Sequence, residues 1–349
     1  MVRAPHAFRD HCGPPLRDAW EALRSVQPAI RLREAALALG VSEAELVALT
    51  CGHEALRLRS PWPSLLANVA SLGRVVAQTR TARSILEQRG VYPARTAAGS
   101  QAPAAIDIRA AYDRWFVGYA ARDAGVRQLA FYDRSGTAVH KVFAVDESRS
   151  EAWDALTRGH AHDVQSPGER LPPSRPPRVR PDAAIDVPTL RTGWAALKGT
   201  DGIDALLDSH RATRLQGLRL VGPRWAARIP STTLVRLLRQ AAIDGTALTV
   251  TVASRGAAQS YRGPLQRVYS TGRWLSARAL DVSLQIRPDR VASAWLVRAP
   301  LFAGMAHALE FFDAAGDPVL QLTSAREGNE PDPERWLTLV GRLVDLAPR

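Results

Sequence analysis

Leu129-Ala-Phe-Tyr-Asp-Arg-Ser-Gly136 is the stretch that decides the fold, and it recurs as Leu309-Glu-Phe-Phe-Asp-Ala-Ala-Gly316. In each copy an apolar run follows the Asp-x-x-Gly segment, which predicts two strands joined by a hairpin turn. Three further matches occur in the same order: Trp20-Glu-Ala-Leu23 with Trp194-Ala-Ala-Leu197, Leu65-Leu66 with Leu237-Leu238, and Trp153-Asp-Ala-Leu156 with Trp336-Leu-Thr-Leu339. Four matches in one order indicate a duplicated domain.

Within each half, helical spacing comes first and strand patterns follow. Helices are predicted over residues 31–39, 43–49, 62–72, 193–197, 204–220 and 232–242. Strands are predicted over residues 75–79, 127–132, 139–145, 247–253, 282–286, 291–298 and 308–312, and a closing helix carries Trp153 or Trp336. Segregated helices and consecutive hairpins predict an α+β fold of two tandem repeats, each with an antiparallel sheet flanked by helices.

The chain has 349 residues, which is more than one domain usually contains. Residues 163–187 are rich in proline and arginine, a composition that favours extended chain without a core of its own. We therefore predict a first repeat over residues 1–162, a linker over 163–187 and a second repeat over 188–349.

Composition restricts the class of protein. The chain is 46% hydrophobic and 23% charged, which excludes disorder throughout, and its two cysteines form no CxxC pair. Neither a signal peptide nor an apolar run of 18 residues is visible, so a cytoplasmic protein without a membrane span is expected. The net charge of +12 points to an anionic partner, although nearly all the cations are arginines, as a GC-rich genome would produce.

Several local motifs in the sequence are weak signals of function. Residues 33–46 resemble a helix-turn-helix, but the second helix offers Glu43 and Glu45 where a DNA reader needs donors, which favours plain helix packing. His160-Ala-His162-Asp163 is a weak metal motif at the edge of the linker, and isolated histidines such as His140 are typical of structural positions. HExxH, GxSxG, Walker and GxGxxG motifs do not occur in the sequence.

Taken together, several stretches resemble the bacterial hemin-degrading and hemin-transport factor family, the HemS/HmuS/ChuS group. The resemblance covers residues 17–345, including the duplication. Beyond the repeat motifs above, it rests on Ala44-Glu-Leu46, Gln88-Arg-Gly90-Val-Tyr92, Ile106-Asp-Ile-Arg109, Ala138-Val-His-Lys-Val-Phe143, Arg214-Leu-Gln216 and Trp295-x-Val-Arg298-x-Pro300. The resemblance implies a two-repeat fold with haem as ligand or substrate, bound near the second repeat. Haem requires an axial iron ligand, an apolar slot and cations for its propionates.

The resemblance also implies individual site residues. Arg109 matches a family arginine on the iron side of the pocket, and Arg214 matches an arginine that contacts a propionate. Gln321 and Arg326 match a pair near the propionate edge.

The sequence departs from the family at three positions. Asp201 stands at the position of the axial histidine, Leu86 at that of a histidine in the first repeat, and Ala299 at that of a lysine on the propionate side. An aspartate is not a usual haem ligand. His210 is therefore the fallback ligand, and Tyr261 is a second alternative.

The resemblance implies cytoplasmic haem handling for iron acquisition, with haem delivered by an importer. In an oxidatively degrading enzyme, Arg109 would organise water or oxygen on the distal side, and an external reductase would supply electrons. The first alternative is a haem or tetrapyrrole carrier that has lost catalysis, which Asp201 and Leu86 would tolerate. The second is a nucleic-acid-binding protein that uses the basic segment 170–180 and the helix-turn-helix-like segment, recognisable by the steep salt dependence of its affinity.

Overall fold

A computed structural model describes residues 14–93, 105–168, 171, 179–200, 202–302, 304–326, 328 and 330–344. The helices are α1 (Pro14–Val26), α2 (Leu32–Leu39), α3 (Glu43–Ala48), α4 (Trp62–Asn68), α5 (Ser150–Gly159), α6 (Val187–Ala195), α7 (Gly202–Ser209), α8 (Arg214–Leu220), α9 (Thr233–Asp244) and α10 (Glu334–Val344).

The strands of the first half are β1 (Leu56–Leu58), β2 (Gly73–Arg80), β3 (Ser84–Gly90), β4 (Asp107–Ala110), β5 (Val117–Asp123), β6 (Val126–Tyr132) and β7 (Ala138–Ser148). Those of the second half are β8 (Ala226–Ile229), β9 (Leu248–Ala253), β10 (Ala257–Gly263), β11 (Arg267–Thr271), β12 (Trp274–Ala279), β13 (Val282–Ile286), β14 (Ser293–Leu301), β15 (Gly304–Phe312) and β16 (Pro318–Ser324). The predicted α+β class with antiparallel sheets is confirmed.

The chain divides into two compact units. Unit 1 consists of Met1–Arg80, Glu87–Arg175 and Ser254–Ala258, and unit 2 of Thr81–Leu86, Pro176–Ala253 and Gln259–Arg349. Each unit thus includes the tip of a hairpin from the other half of the chain. The division of the sequence into a first repeat over 1–162, a linker over 163–187 and a second repeat over 188–349 remains a prediction.

Unit 1 is built on an antiparallel sheet in which β1, β5, β6, β7 and β2 lie side by side in that order. Helices α1–α3 cover one face, where Trp20, Leu46 and Tyr132 are buried. Helices α4 and α5 cover the other face, around Trp62 and Phe131. Strand β5 is buried on both faces, and such a strand lacks the alternation of apolar and polar residues by which a strand is predicted. The sequence therefore did not indicate it.

Unit 2 repeats this design. Strands β9, β16, β15, β14 and β8 lie side by side and antiparallel. Helices α6–α8 cover one face around Trp194. Helices α9 and α10, with β12 and β13, cover the other face around Trp336. Both Asp-x-x-Gly turns join antiparallel strands, as predicted.

The two repeats agree in local detail. The N-cap hydroxyls Ser42 and Thr213 each form a capping box, with Glu45 and Gln216 respectively, so that α3 and α8 begin in the same way. The register shifts next to Phe131 in unit 1 and next to Phe311 in unit 2. These matches place Glu43 and Arg214 at equivalent first positions of their helices.

One predicted helix was wrong. Residues 204–220 form two helices, α7 and α8, because Arg211 has a left-handed φ of 53° and Thr213 starts a new helix with its own cap. Predicted helix 62–72 is α4 followed by a 3₁₀ turn over Val69–Leu72. Several strands were not predicted, among them β3, β8 and β10–β12.

Candidate ligand site in unit 2

Arg214, predicted to contact a propionate, is held by acidic side chains of its own unit. Its Nε lies 2.9 Å from Glu310 Oε2 and its Nη2 lies 2.5 Å from Glu310 Oε1, a bidentate pair between α8 and β15. Its Nη1 donates to Asp204 on α7 over 2.9 Å. Burial by itself lowers the pKa of Arg214, but the two carboxylates outweigh it and raise that pKa above its usual value.

Gln321 belongs to the same cluster. Its Nε2 donates to Glu310 Oε1 over 3.2 Å, from the residue directly opposite on β16. The guanidinium of Arg214 is therefore already satisfied by protein carboxylates. A propionate contact through Arg214 stays a prediction, and it would require Glu310 or Asp204 to release the guanidinium.

The equivalent place in unit 1 holds an ion pair of reversed polarity. Glu43, which begins α3, contacts the Nζ of Lys141 on β7, and both side chains are buried. The hydroxyl of Tyr132 lies 3.4 Å from the same carboxylate oxygen. Because both repeats carry such a pair between a helix start and the sheet, the Arg214–Glu310 pair has a structural role.

Arg326 occupies a different position, after the end of β16. Its Nη2 donates to Thr200 Oγ1 over 3.2 Å and its Nη1 donates to the Gly328 carbonyl. Its Nε lies 3.6 Å from Asp332 Oδ1, and the side chain is only 9% exposed. Arg326 is thereby fixed beside the segment that leads into position 201.

Asp332 links Arg326 to strands β15 and β16. Its carboxylate accepts hydrogen bonds from Ser324 Oγ over 2.5 Å and from the His307 backbone N–H over 2.7 Å, and its Oδ2 lies 3.0 Å from His307 Nδ1. Side chains alternate along a strand, so His307 lies on the face of β15 that Leu309 and α10 occupy, opposite Glu310. His307 therefore supports the position of Asp332 and does not face α6–α8.

His210, the fallback ligand, closes α7. Its Nδ1 donates to the Leu206 carbonyl over 2.9 Å and lies 3.1 Å from Ser209 Oγ. The side chain is half-buried. Since Nδ1 is engaged, an outside metal would have to bind Nε2, an arrangement in which the second ring nitrogen orients the imidazole.

The other predicted positions are less informative. Asp201 lies outside the described residues. Arg109 lies on β4 with an exposed side chain and belongs to unit 1. Leu86 is fully buried in the core of unit 2. Ala299 is buried beneath α6–α8, and the Tyr261 hydroxyl donates to the Pro264 carbonyl over 2.9 Å.

Sequence reasoning missed a pair at the surface of unit 2. The Nζ of Lys198 lies 5.3 Å from the ring centroid of Phe302, whose side chain is 72% exposed in the turn between β14 and β15. Lys198 is itself exposed and lies two residues before Thr200. The available signal was that the chain has only two lysines, one of which the buried pair in unit 1 uses.

The helix-turn-helix-like segment and the HxH motif both make structural contacts within unit 1. Helix α3 buries Glu43, Ala44, Leu46 and Val47 against unit 1, so it cannot enter a DNA groove. In the HxH motif, His160 Nε2 lies 3.2 Å from Asn68 Nδ2 and His162 Nδ1 accepts from the Val164 N–H. No group of three or more metal-ligating side chains occurs among the described residues.

His140, interpreted as structural, is a fully buried imidazole of unit 1. Its Nδ1 lies 2.9 Å from Thr79 Oγ1 and its Nε2 lies 2.5 Å from the Tyr92 hydroxyl. The ring stacks on Trp115 at a centroid distance of 6.4 Å. Burial lowers the pKa of His140 to about 3, so the ring is neutral at pH 7.

The chain thus consists of two α+β repeats, and the second carries Arg326, which donates to Thr200, and the exposed Lys198 two residues before Thr200. The model of the haemin-degrading HemS/ChuX domain matches residues 40–160 and 211–343, and the chain belongs to this family. It is 30% identical to the hemin transport protein HmuS of Yersinia pestis over 331 residues, which cover 92% of this chain and 95% of HmuS.

Solved structures agree with this assignment. The apo form of PhuS, a heme-binding protein from Pseudomonas aeruginosa, is 34% identical and superposes with a TM-score of 0.85, covering 94% of this chain and 98% of PhuS. The heme-degrading enzyme ChuS of Escherichia coli O157:H7 is 24% identical with a TM-score of 0.83 over 95% of this chain and 99% of ChuS, which shows the shared fold. Among the described residues, no helix is long and apolar enough to cross a membrane.

Proposed function

We propose that this protein binds haem and passes it on within the cytoplasm during haem-iron acquisition. Support comes from membership of the HemS/ChuX family and from relatives named for hemin transport and haem binding. The observation that carries the proposal is Arg326, held by Asp332 and bonded to Thr200 immediately before the position of the family axial ligand. A buried, oriented guanidinium at that place suits a propionate.

The fit of haem to the described residues is uneven. Cations that could bind carboxylates are present. Arg326 is held in place by Asp332, and Lys198 is exposed two residues before Thr200, to which Arg326 donates. Arg214 and Gln321 are engaged with Glu310. A nitrogen ligand for iron is offered only by His210 among the predicted site residues that the structure describes. This balance favours binding and transfer over catalysis.

When bound, haem supplies the iron and its redox chemistry. The protein would contribute a guanidinium for a propionate through Arg326 and an imidazole oriented by its Nδ1 bond at His210. Arg109 belongs to unit 1, and its role on the iron side stays what the family resemblance implies. A haem importer would deliver the ligand. An external reductase is required only if oxidative degradation persists.

Arg326→Gln is expected to weaken haem binding at least about tenfold, since a charged hydrogen bond to a carboxylate contributes roughly 1.5–3 kcal/mol. The measurement is titration of the purified protein with haem, following the Soret band. Arg290→Gln, at a 58% exposed arginine of unit 2 paired with Asp289, is the matched control and should leave the affinity unchanged. Absence of saturable binding by the unsubstituted protein would refute the proposed function.

His210→Ala distinguishes a carrier with a nitrogen ligand from one with an oxygen ligand. If His210 binds iron, the substitution converts a nitrogen-ligand ferric spectrum to a high-spin one and abolishes ascorbate-driven haem loss. A high-spin spectrum that is the same in both proteins assigns the iron to an oxygen ligand, which is Asp201, Tyr261 or water. That second result supports the carrier, because degradation requires a ligand that stabilises ferrous iron.

A further inference from the structure

We propose that Lys198 and Phe302 form a ligand-contacting pair in which Lys198 binds a carboxylate of the tetrapyrrole and Phe302 packs against its ring. This inference rests on the proposed haem-binding function. It assigns the residues at the outer edge of that site and the part of the ligand that they recognise.

The first observation is that the aromatic ring of Phe302 is exposed in a turn. Phe302 is 72% exposed in the short connection that follows the Leu301–Gly304 pair of β14 and β15. The exposed ring offers a flat apolar surface to a planar ligand. Lys198 Nζ lies 5.3 Å from the ring centroid, within the range of a cation–π contact.

The second observation is the path of the chain between the two cations. Lys198, Gly199 and Thr200 are consecutive, and Arg326 donates to Thr200 Oγ1 over 3.2 Å. Two residues span at most about 7 Å, so Lys198 belongs to the same corner as Arg326. Gly199 has a φ of 153°, a backbone conformation that a side chain would strain.

The third observation concerns how the loop is anchored. Leu197 and Met305 pack on the core beneath α6–α8, and the Trp194 indole N–H donates to the Arg298 carbonyl over 2.9 Å. The loop that carries Lys198 and the turn that carries Phe302 therefore both start from one packed core. A cation and an aromatic ring placed side by side on that core suit a planar, carboxylate-bearing ligand.

Lysine chemistry offers a selective test. The chain has two lysines, and Lys141 is 4% exposed in its pair with Glu43, so Lys198 is the accessible lysine for an amine-acylating reagent in the folded protein. Acylation of Lys198 is followed by mass spectrometry with and without saturating haem. Haem is expected to slow the modification of Lys198 at least about fivefold, because an ammonium bound to a carboxylate is shielded.

Affinity measurements identify the recognised group. Lys198→Gln is expected to weaken binding of haem about fivefold and binding of haem dimethyl ester not at all, since the ester lacks the carboxylates. Phe302→Ala should weaken both ligands about fivefold, because it removes ring contact. The matched control is Arg134→Gln, which removes a similar cation–aromatic pair with Phe116 in unit 1, and it should change neither affinity.

The outcomes separate this inference from the proposed function. If the unsubstituted protein does not bind haem saturably, the proposed function fails and this inference fails with it. If that protein binds haem while Lys198→Gln binds equally well and haem does not slow acylation, only this inference is overturned. An equal loss of affinity for haem and its dimethyl ester in Lys198→Gln also overturns it, since the lysine would then not recognise a carboxylate.

Discussion

Lys141→Met is expected to lower the free energy of unfolding of unit 1 by about 3–5 kcal/mol, because it leaves the Glu43 carboxylate buried without its cation. Both partners are almost fully covered, with side-chain exposures of 4% and 6%. The Tyr132 hydroxyl, 3.4 Å from the carboxylate, is a weak substitute. Chemical denaturation of the full chain, monitored for the transition of unit 1, provides the measurement.

A double substitution serves as the control. Glu43→Leu together with Lys141→Met removes both charges while keeping similar volumes, so most of the stability should return. Lys141→Met alone therefore leaves the Glu43 carboxylate buried, whereas the double variant leaves no buried charge from this pair. A cost below about 1 kcal/mol for Lys141→Met would contradict a buried, ionised pair, as it would match a solvent-exposed one.

Acidification is expected to destabilise unit 1 through His140. Its pKa is about 3 in the folded protein, below the usual 6.5, so the unfolded chain takes up a proton that the folded one does not. The contribution of His140 to stability is complete above pH 6.5 and is lost as the pH falls from 6.5 towards 3. The slope approaches about 1.4 kcal/mol per pH unit for one proton, which amounts to several kcal/mol over that range.

His140→Gln removes this titration but keeps a side chain able to hydrogen-bond Thr79 and Tyr92. We expect the variant to be less stable than the natural protein at pH 7 and to lose stability less steeply between pH 6 and pH 4, by about one proton. Urea unfolding at a series of pH values gives both slopes. Equal slopes would show that the imidazole is protonated in the fold.

The repeat and its hairpins were predictable because their determinants are local. The Asp133 and Asp313 turns and the Ser42 cap depend on residues within a few positions of each other. The same locality explains the mistake over residues 204–220, where apolar spacing continues across a break set by the cap at Thr213.

The partners of the site residues were not predictable, since they are distant in sequence. Arg214 and Glu310 lie 96 residues apart, and only the fold shows that this guanidinium is engaged by a carboxylate. The contact between Lys198 and Phe302 likewise depends on two separate turns meeting. The family resemblance identified these cations by their position in the sequence. Whether a cation is free to bind a ligand depends on its neighbours in the fold, such as Glu310 beside Arg214.

The exchanged hairpin tips have a consequence for how the molecule is made. Ser84 Oγ donates to the Val319 carbonyl in unit 2, and the Trp115 indole N–H donates to the Gly256 carbonyl in unit 1. A ribosome that has released only the first half of the chain has therefore not yet supplied Ser254–Ala258, which completes unit 1. Unit 1 therefore lacks this hairpin tip until the second half of the chain is being made, which separates its completion from the synthesis of its own half.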